Sequence, residues 1–209
     1  MLLSVIYLVA ISAEAATGAI MGMRRRMDLF GICVLGTVTA LGGGSIRDML
    51  LGHYPLGWVE HPEYLLFTVG ASICAGLLGR YLLKYSKAFL VLDALGLVAF
   101  AIIGCDVAIA VGVSPTIVVL MGMITGIFGG LLRDVLCNQV PLVLRRDLYA
   151  SVALMTGALY VGLQEFGMGH DQASIIALLA GFLMRLMAIR FSLALPVFAM
   201  PKGDPHGGK

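Results

Sequence analysis

The stretch LGGGSIRDMLLG, residues 41–52, sets three consecutive glycines and then an Arg-Asp pair inside an apolar run of membrane-helix length. Glycine weakens a helix interior by about 1 kcal/mol relative to alanine. A full charge near the bilayer centre costs at least about 2.5 kcal/mol on insertion scales. Neither suits a helix whose only task is to cross lipid. The same pattern returns 86 residues later, where residues 122–142 (GMITGIFGGLLRDVLCNQVPL) align with residues 36–56 (GTVTALGGGSIRDMLLGHYPL) at nine identities in 21 positions. Apolar composition alone would give about two. The identities include Thr39/Thr125, Gly43/Gly129, Gly44/Gly130, Arg47/Arg133, Asp48/Asp134 and Pro55/Pro141.

Around this duplicated motif the chain has 209 residues, 60% of them hydrophobic and only 12% charged, with a mean hydropathy of +0.99. A water-soluble domain of this size could not bury so much apolar surface, so the sequence reads as an integral, all-α membrane protein. A net charge of +2 is too small to argue for a nucleic-acid partner. Cys33, Cys74, Cys105 and Cys137 lie singly in four apolar segments and read as packing residues, not as a zinc or redox set. A span needs about 20 apolar residues, and seven stretches approach that length: residues 2–22, 29–52, 64–83, 88–111, 115–137, 148–163 and 173–191. Arg24, Arg25 and Arg26 follow the first stretch and no basic residue precedes it, so it reads as a retained helix and not a cleaved leader.

With seven spans, and Arg47, Arg133 and Arg185 set aside as lying within them, the other basic residues, in loops or at span ends, fall on one side: Arg24 to Arg26, Arg80, Lys84, Lys87, Arg145, Arg146, Arg190, Lys202 and Lys209. The positive-inside rule then predicts an outside N-terminus and a cytoplasmic C-terminus. The repeat period covers three helices. Three is odd, so the second copy enters from the opposite side and the halves form an inverted repeat. The expected units are residues 1–87, their inverted counterpart 88–171, a seventh helix at 172–192 and a cytoplasmic tail at 193–209. Arg47-Asp48 then faces the outer side and Arg133-Asp134 the inner side.

Gly42, Gly43 and Gly44, with Gly129 and Gly130, predict kinks that free backbone carbonyls, which lipid tolerates only beside protein, water or an ion. The competing reading is close helix packing, favoured here for Gly122 and Gly126. Phe128 stands where the first copy has Gly42. Adjacent residues on a helix point about 100° apart, so each arginine is expected to need a partner beyond its neighbouring acid. By depth, Asp106 suits Arg47 and Asp93 suits Arg133. Snorkelling to the interface is the alternative. Glu14, near mid-membrane, could be a cation ligand, a protonated donor or an ion-pair partner. Thr37, Thr39, Ser45, Thr125, Asn138 and Gln139 could line a polar path, or bond back to their own carbonyls. His53, His61, Glu60 and Glu63 gather in an outer loop without compact metal-ligand spacing, so no metal site is expected. No nucleotide motif or catalytic constellation can be assembled, so neither an enzyme nor a cofactor is expected.

Two copies of GG-x-x-RD, each with a proline seven residues after the Asp, on an inverted three-plus-three arrangement, resemble the prokaryotic members of the trimeric intracellular cation (TRIC) channel family. Such bacterial sequences are also labelled glycine-transporter-like. The resemblance implies a homotrimer in membrane lipid, each protomer holding a pore for monovalent cations such as K+ or Na+, bounded by the kinked second and fifth spans. It carries Gly42, Gly43, Gly44, Gly129 and Gly130 over as kink positions, and Arg47, Asp48, Arg133 and Asp134 as pore or pore-supporting residues. A secondary transporter for a small zwitterion such as glycine, or a membrane scaffold, are the competing functions. Arginines in a cation path must be shielded by acids or turned aside.

Overall fold

The structure, a computed structural model, describes residues 2–79, 86–145 and 148–191. Among the described residues it is all helical: α1 (Leu2–Arg24), α2 (Leu29–Leu51), α3 (Gly57–Glu60), α4 (Glu63–Leu77), α5 (Ser86–Val111), α6 (Pro115–Leu136), α7 (Leu142–Arg145), α8 (Tyr149–Glu165) and α9 (His170–Phe191). Five of these, α1, α2, α5, α6 and α9, are long and apolar enough to cross a membrane. The other two long helices are shorter, 15 residues in α4 and 17 in α8. The four-residue α3 and α7 are not apparent in the hydropathy pattern. The expected tail at 193–209, and the charges Arg80, Lys84, Arg146, Lys202 and Lys209, lie outside the described residues, as do the side chains of Lys87 and Arg145.

Local chemistry sets the helix ends. Asp28 caps α2 by accepting the Gly31 N–H at 2.7 Å. At the other end Gly52 turns left-handed at φ 66, and the residue 86 positions later, Asn138, does the same at φ 49. Glycine and asparagine are the residues that accept this conformation after a helix. The following amides close both turns alike, His53 N–H donating to the Asp48 carbonyl at 2.9 Å and Gln139 N–H to the Asp134 carbonyl at 2.8 Å.

The halves also pack alike. A methyl on Gly18 of α1 would lie 2.8 Å from the Leu35 carbonyl oxygen of α2. One on Gly104 of α5 would lie 2.8 Å from the Met121 carbonyl oxygen of α6, its counterpart. Between the halves the contact is reciprocal: Gly43 of α2 sits against the Thr125 carbonyl of α6, and Gly129 of α6 against the Thr39 carbonyl of α2. No side chain fits at either place. The glycines therefore serve the packing role set against the kink. α2 remains α-helical at every residue through Gly42, Gly43 and Gly44, as does α6 through Gly129 and Gly130. The expected unwinding is absent because the direct approach of two backbones uses the missing side chains. Thr39 and Thr125 donate to the Leu35 and Met121 carbonyls of their own helices at 2.7 and 2.6 Å.

The core runs along this seam, with Ile11, Ile20, Leu97, Val98 and Ile102 fully buried. Leu29, Phe30, Leu66 and Leu77 point outward and stay exposed, an apolar exterior suited to lipid.

Candidate functional site

The two motif copies lie at opposite ends of the bundle. Asp48 shares a cavity of about 250 Å³ with Leu3 and Ser4, at the start of α1, and with Asp106, near the end of α5. Arg133 meets Asp93, near the start of α5. At that same end Arg25, just past α1, donates to the Asn138 carbonyl at 3.4 Å.

In each copy the arginine is closed first by its own aspartate. Arg47 Nε and Nη2 donate to Asp48 Oδ1 at 2.9 and 2.7 Å, and Arg133 Nε donates to Asp134 Oδ1 at 2.9 Å. The divergence of neighbouring side chains on a helix had argued against this pairing. The three methylenes of arginine let the guanidinium swing back across that angle. The second carboxylate oxygen then holds the chain that follows the proline: Asp48 Oδ2 accepts the Gly57 N–H at 3.3 Å and Asp134 Oδ2 the Leu142 N–H at 2.8 Å. One carboxylate thus neutralises the cation and fixes the start of a short helix, α3 or α7, whose free N–H groups favour an anion.

Beyond that shared unit the copies differ. Arg133 is fully buried and also donates from Nη1 to Asp93 Oδ1 at 2.8 Å and to Thr17 Oγ1 at 3.0 Å. It faces the Phe89 ring at 4.8 Å, and Glu14 Oε2 lies 3.8 Å from Nη1. The expected Asp93 to Arg133 pair is present. The expected Asp106 to Arg47 pair is not, because Asp106 Oδ1 is taken from the other side by Tyr160 Oη at 2.9 Å and His170 Nε2 at 2.7 Å. The position 86 residues before Asp93 holds Tyr7, which lines the cavity beside Asp48 with Arg47, His53, Glu60, His61 and Tyr64. Neither arginine snorkels; Arg47 is 6% exposed and Arg133 0%.

Ser45 donates to the Leu41 carbonyl at 2.9 Å and accepts from Trp58 Nε1 at 3.1 Å. Thr37 meets Thr68 at 3.1 Å. His61 Nδ1 lies 3.0 Å from Glu63 Oε1; among the described residues no three His, Cys, Asp or Glu side chains converge as a metal would need. Thr17, Phe89, Tyr149, Tyr160 and His170 entered the site unforeseen. Thr17, one helical turn after Glu14, was the one the sequence could have offered.

This arrangement defines a class: an all-helical membrane protein built on a duplicated unit whose buried arginine is closed by the next residue. The chain belongs to the family described as "Glycine transporter", whose sequence model matches it twice, over residues 4–80 and 90–165. It is similar to the UPF0126 inner membrane protein YadS of Escherichia coli K12, with 40% identity over 92% of this chain and 94% of that one. A UPF0126 membrane protein of Vibrio cholerae is 38% identical over 90% of this chain and 79% of its own length. Among solved structures, the TRIC trimeric intracellular cation channel orthologue from Rhodobacter sphaeroides superposes with a TM-score of 0.88 at 36% identity, covering 91% of this chain and 98% of that one. A second TRIC cation channel also gives 0.88, at 34% identity over 96% and 98%.

Proposed function

We propose that the protein is a passive channel for monovalent cations, potassium foremost, with a pore in each protomer of a homotrimer, and that it carries out no enzymatic reaction. The single observation that carries this reading is that both buried arginines are shielded by acids. A cation path beside Arg47 and Arg133 is workable only if their charges are cancelled, and Asp48 and Asp134 do so at 2.7 and 2.9 Å. The likeness to solved TRIC channels supports it.

In this reading residues 1–87 and 88–171 are inverted repeats, with the N-terminus outside and the C-terminus cytoplasmic, as the arginines past α1 favour. The helices α4 and α8 complete the seven spans. With Asp48 spent on Arg47, the acids Glu60 and Asp106 around the outer cavity raise the local cation concentration at the mouth. The path follows the crossing of α2 and α6, where Gly43 and Gly129 bring backbones into contact, and conduction requires these helices to part there.

The description of the matching family favours a second reading, a carrier of glycine or a similar zwitterion. Purified protein in planar bilayers, recorded alongside glycine uptake into liposomes, separates the two. Unitary potassium currents without saturable uptake support the channel. Saturable uptake without unitary currents supports the carrier and overturns the proposal.

A further inference from the structure

Glu14 is the carboxyl that the ion pairs leave over. It projects from α1 toward Arg133 and Asp134 of α6, Asp93 of α5 and Tyr149 of α8, and it occupies the space that a side chain at Gly96 of α5 would take. Arg133 commits Nε and Nη1 elsewhere, while Nη2 has no hydrogen-bond partner among the described residues. Nε serves Asp134 at 2.9 Å, and Nη1 serves Asp93 at 2.8 Å and Thr17 at 3.0 Å. The nearest Glu14 oxygen, 3.8 Å away, is outside hydrogen-bond distance.

Three carboxyl groups therefore surround one guanidinium, and none of the four residues is more than 2% exposed. Ionising all of them would leave two uncompensated negative charges out of water, which burial strongly disfavours. Asp93 Oδ2, fully buried, has no hydrogen-bond partner among the described residues, so Asp93 meets Arg133 through Oδ1 alone. Among the described residues two further cations border the cluster, Arg24 over the Phe89 ring at 5.4 Å and Arg185 of α9 over the Tyr149 ring at 4.6 Å.

Thr17 shows where the missing positive charge belongs. A hydroxyl has one hydrogen and two lone pairs. Arg133 Nη1 occupies one lone pair. Thr17 Oγ1 lies 2.8 Å from the Glu14 carbonyl oxygen and 2.9 Å from Glu14 Oε2. Its single hydrogen can serve only one of these two oxygens: given to Oε2 it leaves the carboxylate as acceptor, and given to the carbonyl, the back-bond usual for threonine in a helix, it leaves Oε2 to meet the remaining lone pair as a donor.

We propose that Glu14 is a proton-binding site inside the membrane, holding a proton on Oε2 that is donated to Thr17 Oγ1 and leaves Arg133 shared between Asp93 and Asp134. The ligand is a proton and not a metal cation, because Arg133 Nη2, buried and without a hydrogen-bond partner among the described residues, would repel one. The inference holds whether the chain conducts cations or carries a solute.

Infrared spectroscopy of the purified full-length protein in lipid vesicles tests it without mutation. The remaining glutamates, Glu60, Glu63 and Glu165, are exposed to solvent, unlike Glu14. A protonated-carboxyl C=O band that shifts on glutamate-selective ¹³C labelling is therefore the signature of Glu14. The expected result is such a band at neutral pH, insensitive to aspartate labelling, unchanged as K+ or Na+ is raised, and absent in Glu14→Gln. Absence of a glutamate-sensitive band, a shift on aspartate labelling instead, or loss of the band with rising K+ or Na+ each overturns the proposal. If Glu14→Gln does not fold, the labelling result alone decides.

Discussion

Arg133 Nη1 lies 2.8 Å from Asp93 Oδ1 and so ties α6 to α5, whereas Arg47, its counterpart in the first repeat, has Asp48 as its ion-pair partner at 2.7 Å within its own helix. The two arginines share a motif but not a task. Removing Arg133 strands Asp93 and leaves Asp134 with the Leu142 amide; removing Arg47 leaves only Asp48, which keeps the Gly57 amide and has His53 Nδ1 at 3.5 Å.

We therefore expect Arg133→Met to destabilise the protein by about 3–5 kcal/mol, the range for breaking a buried ion pair from one side. Arg47→Met should cost clearly less. Thermal unfolding in detergent gives the order, and equal losses would mean that the tie to Asp93 adds nothing to the shared unit.

That asymmetry marks how far the sequence could be read. The repeat, the helical class and the Asp93 to Arg133 pair follow from spacing, because a period of 86 residues and depth along a span are both linear quantities. Asp106 is different. Its partners Tyr160 and His170 come from α8 and α9, and α9 has no counterpart in the repeat to say where it docks. The glycines misled for another reason: Gly43 and Gly129 look alike whether a helix breaks or another backbone approaches it, and only the Thr125 and Thr39 carbonyls across the seam distinguish the cases. Arg47 was denied Asp48 on helix geometry alone, without the reach of its side chain.

The reciprocal seam predicts a matched pair of effects. A Cβ at Gly43 or Gly129 would run into a backbone carbonyl of the facing helix, which cannot step aside as a flexible side chain would. Gly43→Ala and Gly129→Ala should each destabilise the fold by about 1–3 kcal/mol, as overpacking does. Gly70→Ala in α4, with nothing within 4 Å of its Cβ, should be neutral or stabilise by up to about 1 kcal/mol. Thermal unfolding of the three variants checks this, and a tolerated alanine at Gly43 would refute the close approach.

Asp106 of α5 holds the start of α9 through His170 and holds α8 through Tyr160. Tyr160→Phe and His170→Ala should each cost about 0.5–1.5 kcal/mol. The double variant should depart from their sum, since both bonds end on Asp106 Oδ1. Hydrogen exchange at the first turns of α9 should quicken in both single variants. Unchanged exchange there would show that α9 is held by its apolar contacts alone.

Asp48 gives the prediction that bears most directly on the proposed conduction. Asp48 cancels Arg47 beside the cavity of about 250 Å³. Asp48→Asn would leave the guanidinium charge uncompensated at that cavity while preserving the volume of the side chain. Two unit charges 4 Å apart repel by about 1 kcal/mol even at the dielectric constant of water, so unitary potassium conductance should fall about fivefold at low salt. The loss should shrink as ionic strength rises and the screening length drops below about 10 Å. Adding Arg47→Gln to Asp48→Asn should restore conductance, because the repelling charge is then gone. A double variant as poorly conducting as Asp48→Asn would instead assign the defect to the lost Gly57 contact, placing Asp48 as a support for α3 and not as the shield of a cation path.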